Sequence, residues 1–407
     1  WSNLQTLQGP QIRLTSARRY GGAPGLGVAG RGLAHNARGL PSGGFLGSAY
    51  PTMWEAPVSG HRTSVGLDVH ARSVVAAALD GATGQVWQAR FGGPHEVDPL
   101  LAWLGELPGP VATVYESGPT GFGLYRALTA AGVTASVAAS SKLLRAPGDR
   151  VKTDRRDALL LARMLHLGEV TQVVVPSVAV EDARELVRAR EDVRGVLQAG
   201  RQRLSKMLLR QGLLYPGATT WTLAHDLWLR QQWREFQRSG GPGLAAAFED
   251  AYTGMLQAKQ RRDALDVRIR QAALEGEFSD LVTRLCCLRG IDLITGLALV
   301  VEIGDWDRLT GARIGSYLGL VPSEYSSGAS RAQGGITKTG NSHARRLLVE
   351  AAWHHKKPYR PGPALQARWA KAPGPVVARA DQANRRLNGR WAAFEARKKT
   401  CVRNPGG

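Results

Sequence analysis

Cysteine is nearly missing from the 407 residues: Cys286, Cys287 and Cys401 are the whole supply. Two of the three are adjacent, which gives no disulfide framework, and no second pair stands at the spacing of a zinc ribbon or finger. Such usage suits a reducing cytoplasm. Long apolar runs are missing too. The longest, Ile291 to Ile303, is interrupted by Asp292, Thr295 and Glu302, and is too short and too polar to span a bilayer. There is no signal-peptide h-region. Neither a dinucleotide-binding glycine fingerprint nor a P-loop lysine motif occurs. Acids are scarce, with 33 Asp+Glu against 53 Lys+Arg and a net charge of +20. That imbalance points to a polyanionic partner, nucleic acid first and an anionic membrane second, and to binding that weakens with salt.

What is present is enough apolar material, 43% of the chain, for real cores in two or three domains. Residues 1–61 stand apart. They are rich in Gly, Pro, Ser and Arg and hold no sustained period, so they read as a disordered leader, with Met53 as a candidate start. A basic arm that folds on nucleic acid is the alternative.

From Thr63 an α/β pattern begins. Strands are expected at Thr63–Val69, Ser73–Leu79 and Gln85–Phe91, a helix at Glu96–Leu104, a strand at Val111–Tyr115, a helix at Gly121–Ala131 and a strand at Val133–Ala138. Three successive strands followed by alternation is the order of an RNase H-like sheet; a Rossmann unit would alternate from the outset. Two long apolar-periodic helices follow, Val180 to Leu214 and about Leu244 to Leu274, joined by a connection holding Trp221, Trp228 and Trp233. They read as an antiparallel helical arm or coiled coil, or as a plain two-helix module. Leu288 to Ala298 resembles a helix-hairpin-helix turn, with Asp292 in place of the second glycine; a helix start packed on the core is the alternative. A Gly/Ser loop at Ser326–Gly335 and basic helices at Ser342–Trp353 and Val376–Lys399 complete the chain.

The chemistry concentrates around Lys152-Thr153-Asp154-Arg155-Arg156-Asp157-Ala158, at the start of an expected helix. The spacing puts Asp154 and Asp157 on one helical face. Two acids facing one way among Lys152, Arg155 and Arg156 suggest a hard-cation site beside a phosphate track. The plainer alternatives are that Thr153 or Asp154 caps the helix and that Asp157 favours its positive end. Asp68 and Glu116 each end an expected strand, the edge where open α/β sheets bind ligands. Each alone reads equally as a turn or edge acid. Four carboxylates share one small site only if cations or protons neutralise them, and a pair of Mg²⁺ ions would do so.

Three segments occur in order: Gly66-Leu-Asp-Val-His70, Tyr115-Glu-Ser-Gly-Pro-Thr-Gly121 and Lys152 through Ala158. They resemble the three acidic motifs of the DEDD transposases and Piv-type DNA invertases, the insertion-sequence family one-ten, whose members are guided by a bridge RNA. The resemblance continues in Ile291 to Trp306, in Gly319-Leu-Val-Pro322, and from Ser326-Ser-Gly to Gly335-Ile-Thr-Lys-Thr-Gly-Asn341, so that it spans roughly Thr63 to Lys398. It implies a RuvC-like (RNase H-like) α/β domain at 62–178, a coiled-coil helical arm at 179–280 and a mostly helical transposase domain at 281–400. It implies Asp68, Glu116, Asp154 and Asp157 as ligands of Mg²⁺ or Mn²⁺, and Ser327 as a nucleophile that joins DNA covalently. Ser326 and Ser330 are the alternatives, because no cation directly follows Gly328.

Phosphate would be met by Lys152, Arg155, Arg156, Arg331, Lys338, Arg345 and Arg346. The expected partners are the DNA of element ends and target, a structured guide RNA and further copies in a homo-dimer or homo-tetramer, with no membrane. The expected place is the bacterial cytoplasm, at the nucleoid. The rivals are a hydrolytic RuvC-like endonuclease of the junction-resolvase type, which needs no serine, and a non-catalytic nucleic-acid-binding protein.

Overall fold

A computed structural model describes residues 60–143, 153–328 and 330–402, with side chains as far as Arg397. The expectations for the leader, and for Lys152, lie outside the described residues.

The N-terminal part is a mixed α/β layer. Its strands are β1 (Thr63–His70), β2 (Ser73–Asp80), β3 (Val86–Phe91), β4 (Val111–Glu116) and β5 (Thr134–Ala138), with α1 (Asp98–Glu106) before β4 and α2 (Gly123–Ala130) after it. They form one sheet in the order β3-β2-β1-β4-β5. β2 runs antiparallel to β1 and β3, while β1, β4 and β5 are parallel. The central strand β1 is buried on both faces through Leu67, as a covered parallel strand should be. One face of the sheet carries Val65, Leu67, Tyr115 and Val137 against Leu100 and Leu104 of α1 and Leu124 and Leu128 of α2. The other face is covered by α3 (Asp154–His166), whose Leu161 and Leu165 pack on Ala112, Val114 and Ala138.

Two 33-residue helices follow, α4 (Val178–Arg210) and α6 (Pro242–Leu274). They pack antiparallel: Arg190 donates to Asp266 at 2.8 Å, and further along Gly200 lies against Met255. The Trp-rich connection is not a loop throughout. It holds α5 (Leu223–Ser239), started by the Thr222 hydroxyl, which accepts the His225 N–H at 3.3 Å. Leu229 and Phe236 of α5 close a cluster with Leu204, Leu208, Phe248 and Tyr252, and the three tryptophans pack around it. The helix forms because its aromatic residues have this core to enter.

At their other ends the long helices root in a second core. Ala183 and Val187 of α4 and Ile269 of α6 meet α7 (Ser279–Cys286), α8 (Leu293–Ile303) and α10 (Ser342–Trp353). Arg184 donates to the Val301 carbonyl, and Arg126 of α2 bonds Glu181 and the Pro176 carbonyl at the start of α4. In the turn between α7 and α8 the Arg289 N–H bonds Asn384, the Ile291 N–H bonds Leu288 and Asp292 caps α8 through Thr295. These N–H groups are engaged within the protein, which favours the packing alternative over a phosphate-binding turn.

Beyond α8 come α9 (Arg313–Tyr317), the hairpin β6 (Pro322–Glu324) and β7 (Gln333–Ile336), and, after α10, α11 (Pro363–Trp369) and α12 (Gly374–Val402). The expected Gly/Ser loop is thus the outer half of a hairpin. Its base is locked by two glycines at positive φ. A Cβ on Gly340 (φ +73°) would lie 2.0 Å from the Tyr317 carbonyl oxygen, and one on Gly319 (φ +64°) 2.3 Å from that of Thr339. No helix among the described residues is long and apolar enough to cross a membrane.

Candidate active site

Strand alternation decides which way the first acid faces. Gly66 lies against the α3 backbone, so Asp68 and His70, two and four residues on, stand on that same face of β1. Leu67 is level with Tyr115 in the parallel β1–β4 pair, which sets Asp68 level with Glu116 one step further. Glu116 shares its face with Ala112 and Val114, both of which pack on α3. The two strand-end acids therefore stand on adjacent strands, on one face.

α3 brings the other pair. Its cap is Thr153, whose hydroxyl accepts the Arg156 N–H at 3.4 Å. That relieves Asp154 of the capping role. Asp154 and Asp157 occupy the first turn, both half-buried. The His70 Nε2 lies 3.2 Å from Asp68 Oδ2 and 3.8 Å from Asp154 Oδ1. One donor atom from each of Asp68, His70 and Asp154 falls within 4.8 Å of the others. Glu116 and Asp157 lie outside that tight group, although the charge of Asp157 still reaches Asp68.

Burial pushes the Asp68 carboxyl up. His70 opposes this, and the negative charges of Asp154 and Asp157 add to it. A partly buried carboxyl with a second carboxylate and an imidazole close by is a donor set suited to a divalent cation. Beside them an open cleft of roughly 500 Å³ is lined by Gln88, Arg90, Thr153, Asp154 and Arg155, with acid and guanidinium groups facing one space. His70 was not singled out by sequence reasoning as a site residue. The only signal for it was its place two residues after Asp68 on a strand.

A second polar centre lies in the C-terminal part. Glu302, at the end of α8, is 4% exposed. It accepts bonds from Arg188 at 3.1 and 3.2 Å, from Asn341 at 2.7 Å and from His343 at 3.2 Å. Burial alone would raise its carboxyl; the bonds from His343, Arg188 and Asn341 outweigh that and hold it at about 2. Asn341 also caps α10 by accepting the Ala344 N–H. Glu302 thereby ties the end of the hairpin segment to α4 and α8.

The chain matches two family models. Residues 65–211 match one named for the DEDD transposase of IS110 and described as a transposase, and residues 282–368 match one described as the transposase IS116/IS110/IS902 family. It is 35% identical over 370 residues to "Putative transposase y4qE" of Sinorhizobium fredii, covering 88% of this chain and 90% of that one. The chain belongs to the IS110 transposase family. The transposase is also 28% identical to the transposase for insertion sequence element IS1533 of Leptospira borgpetersenii, over 83% of this chain and 98% of the other. It is thus a DNA-acting enzyme, and its DEDD domain suggests a divalent metal.

The first matched region holds Asp68, Glu116, Asp154 and Asp157, and the second holds Ser327. In the transposase Ser327 is exposed near the hairpin tip, where it exchanges backbone bonds with Ser330 at 3.1 and 3.0 Å around Gly328 (φ +56°). The Ser326 hydroxyl donates to Glu324 at 2.8 Å, and Arg331 stands 3.5 Å from the same carboxylate. Arg155 and Arg156 are exposed on α3. Lys338 sits on the hairpin's return at φ +56°. Arg345 donates to the Leu318 and Thr339 carbonyls, and Arg346 bonds Glu191 and Glu350. These two arginines hold the protein together where they stand.

Proposed function

We propose that this transposase cuts and rejoins DNA through a serine–DNA intermediate at a divalent-cation site formed by Asp68, Glu116, Asp154 and Asp157. The observation that carries the reading is the gathering of acids from β1, β4 and α3 on one face at one sheet edge. The sheet order β3-β2-β1-β4-β5 supports an RNase H-like, RuvC-like domain over 62–178. The α4–α6 pair supports a coiled-coil arm over 179–280, followed by a transposase domain over 281–400.

Bound Mg²⁺ or Mn²⁺ would lower the charge on the phosphate and favour the oxyanion forms in phosphodiester exchange. The protein's own groups do the rest. Asp68 and Asp154 hold negative charge at the site, and Arg155, with Arg331 and Lys338 of the hairpin, holds phosphate. The Ser327 oxygen forms a bond to phosphorus as its proton leaves, and the bond from phosphorus to the deoxyribose oxygen breaks, that oxygen taking up a proton. Rejoining runs the exchange backwards onto a new strand end, so no bond energy is lost to water. Ser326 is committed to Glu324, which supports Ser327 as the nucleophile over its neighbour.

The carboxylates and Ser327 belong to different parts of the chain, so the site is composite, completed within one chain or between copies when DNA binds. The net charge of +20 suits a protein holding both DNA and a structured guide RNA.

The test is denaturing electrophoresis of the full chain with labelled element-end DNA, with peptide mapping of any adduct. A covalent adduct at Ser327, lost in Ser327→Ala and in Asp154→Asn, is expected. Cut DNA with no adduct would mean a hydrolytic nuclease. Binding indifferent to Asp154, with no cutting by the wild type, would mean a binding protein.

A further inference from the structure

We propose that His70 is a metal ligand of this site, and that its imidazole turns the site's preference from Mg²⁺ towards Mn²⁺ and the later divalent metals. This rests on the divalent-cation reading above. His70 is the last residue of β1, and alternation sets it on the same face as Asp68. Its Nε2 stands between carboxylates from two different elements, 3.2 Å from Asp68 on β1 and 3.8 Å from Asp154 on α3. Neighbouring donors around a cation bound at about 2.1 Å are spaced by roughly 3 Å. The His70–Asp68 pair is near that spacing, Asp154 is somewhat wider, and all three donor atoms lie within 4.8 Å of one another.

The competing account makes His70 a hydrogen-bond partner of Asp68 and nothing more. A half-exposed pair of that kind adds little to stability. It also gives no reason for Nε2 to stand within reach of both acids. The chemistry separates the two accounts. Carboxylate and water oxygens suit Mg²⁺, whereas an imidazole nitrogen adds affinity along the series towards the later metals. A ligand His70 therefore raises Mn²⁺ affinity more than Mg²⁺ affinity. A mere ion-pair partner competes with any cation for Asp68, and its removal would tighten binding.

The experiment uses the full chain with Mn²⁺ as the probe, read by electron-spin-echo modulation for a coupled ¹⁴N and by Mg²⁺ competition for affinity. The wild type is expected to show one strong ¹⁴N coupling. His70→Ala and His70→Gln are both expected to lose it, with Mn²⁺ affinity falling about tenfold and Mg²⁺ affinity falling less. The side chain is 53% exposed, so neither substitution opens a core, and circular dichroism checks the fold. His70→Gln can still donate to Asp68, so wild-type affinity in that variant would overturn the proposal. So would Mn²⁺ binding that is lost in Asp154→Asn yet shows no ¹⁴N coupling in the wild type; there the cation reading survives and the His70 reading fails. Mn²⁺ binding insensitive to Asp68 and Asp154 overturns both.

Discussion

Gly66 of β1 and Ala158 of α3 touch backbone to backbone: a Cβ on Gly66 would stand 2.0 Å from the Ala158 carbonyl oxygen and 2.5 Å from the Ala162 nitrogen. No side chain rotation relieves such a collision. The contact sets the depth at which α3 lies on the sheet, and so sets where Asp154 meets Asp68. Gly66→Ala is expected to push α3 outward, cost about 1–3 kcal/mol in unfolding free energy, and reduce strand cleavage by far more than the lost stability accounts for. Denaturant titration beside a cleavage assay checks both; full activity in a folded Gly66→Ala protein would dismiss the link.

Asp68 carries a charge that its surroundings resist. Its carboxyl is raised in the folded protein, so the native state holds its proton more tightly than the unfolded chain does. Stability from this group is thus greatest at low pH and is lost as pH rises through the raised value. Asp68→Asn should therefore unfold at a higher temperature than the wild type near neutral pH while losing cleavage. A lower Tm in the variant would show that burial does not strain the ionised carboxyl.

Glu302 has the opposite sign. Its carboxyl is held at about 2, below the ordinary 4.5, so its stabilisation is full above pH 4.5 and disappears as pH falls through about 2. The full effect is on the order of 3 kcal/mol. Glu302→Gln leaves Arg188 and His343 facing a neutral group and is expected to cost about 3–5 kcal/mol near pH 6. That gap should narrow by pH 3 in paired urea titrations. A gap that ignores pH would remove the buried-carboxylate account.

Gly340→Ala tests the lock at the base of the hairpin. The substitution meets both a positive φ and the Tyr317 carbonyl, and is expected to cost about 1–3 kcal/mol. If Ser327 acts from this hairpin, adduct formation should fall at least tenfold at a temperature where the variant is still folded. Normal adduct yield would separate the hairpin base from the chemistry.

Much of the architecture is legible in the amino-acid sequence. The strand end at Glu116, the helix opening at Asp154 and the helix Ser342–Trp353 all follow from local signals: alternation, turn residues and a 3.6 period. The first strand, expected to end at Asp68, instead runs two residues further to His70, which pairs with Ser73. What escaped was long-range. α5 hid in a Trp-rich stretch because its periodicity makes sense only against Leu204 and Phe248. Glu302 looked like a break in an apolar run, and its partners Arg188 and Asn341 lie 114 and 39 residues away. His70 gained meaning only when α3 brought Asp154 across the sheet.

The α4–α6 pair has a mechanical consequence. Thirty-three helical residues make a rod about 50 Å long, with a rise of about 1.5 Å per residue. Its root is clamped by Arg184 and Arg188 to α8, and its far end carries α5. Such a rod is a lever: a tilt of about ten degrees at Arg188 sweeps the tip, roughly 33 Å away, through roughly 6 Å. Small adjustments around Glu302 would thus be magnified at the far end of the pair.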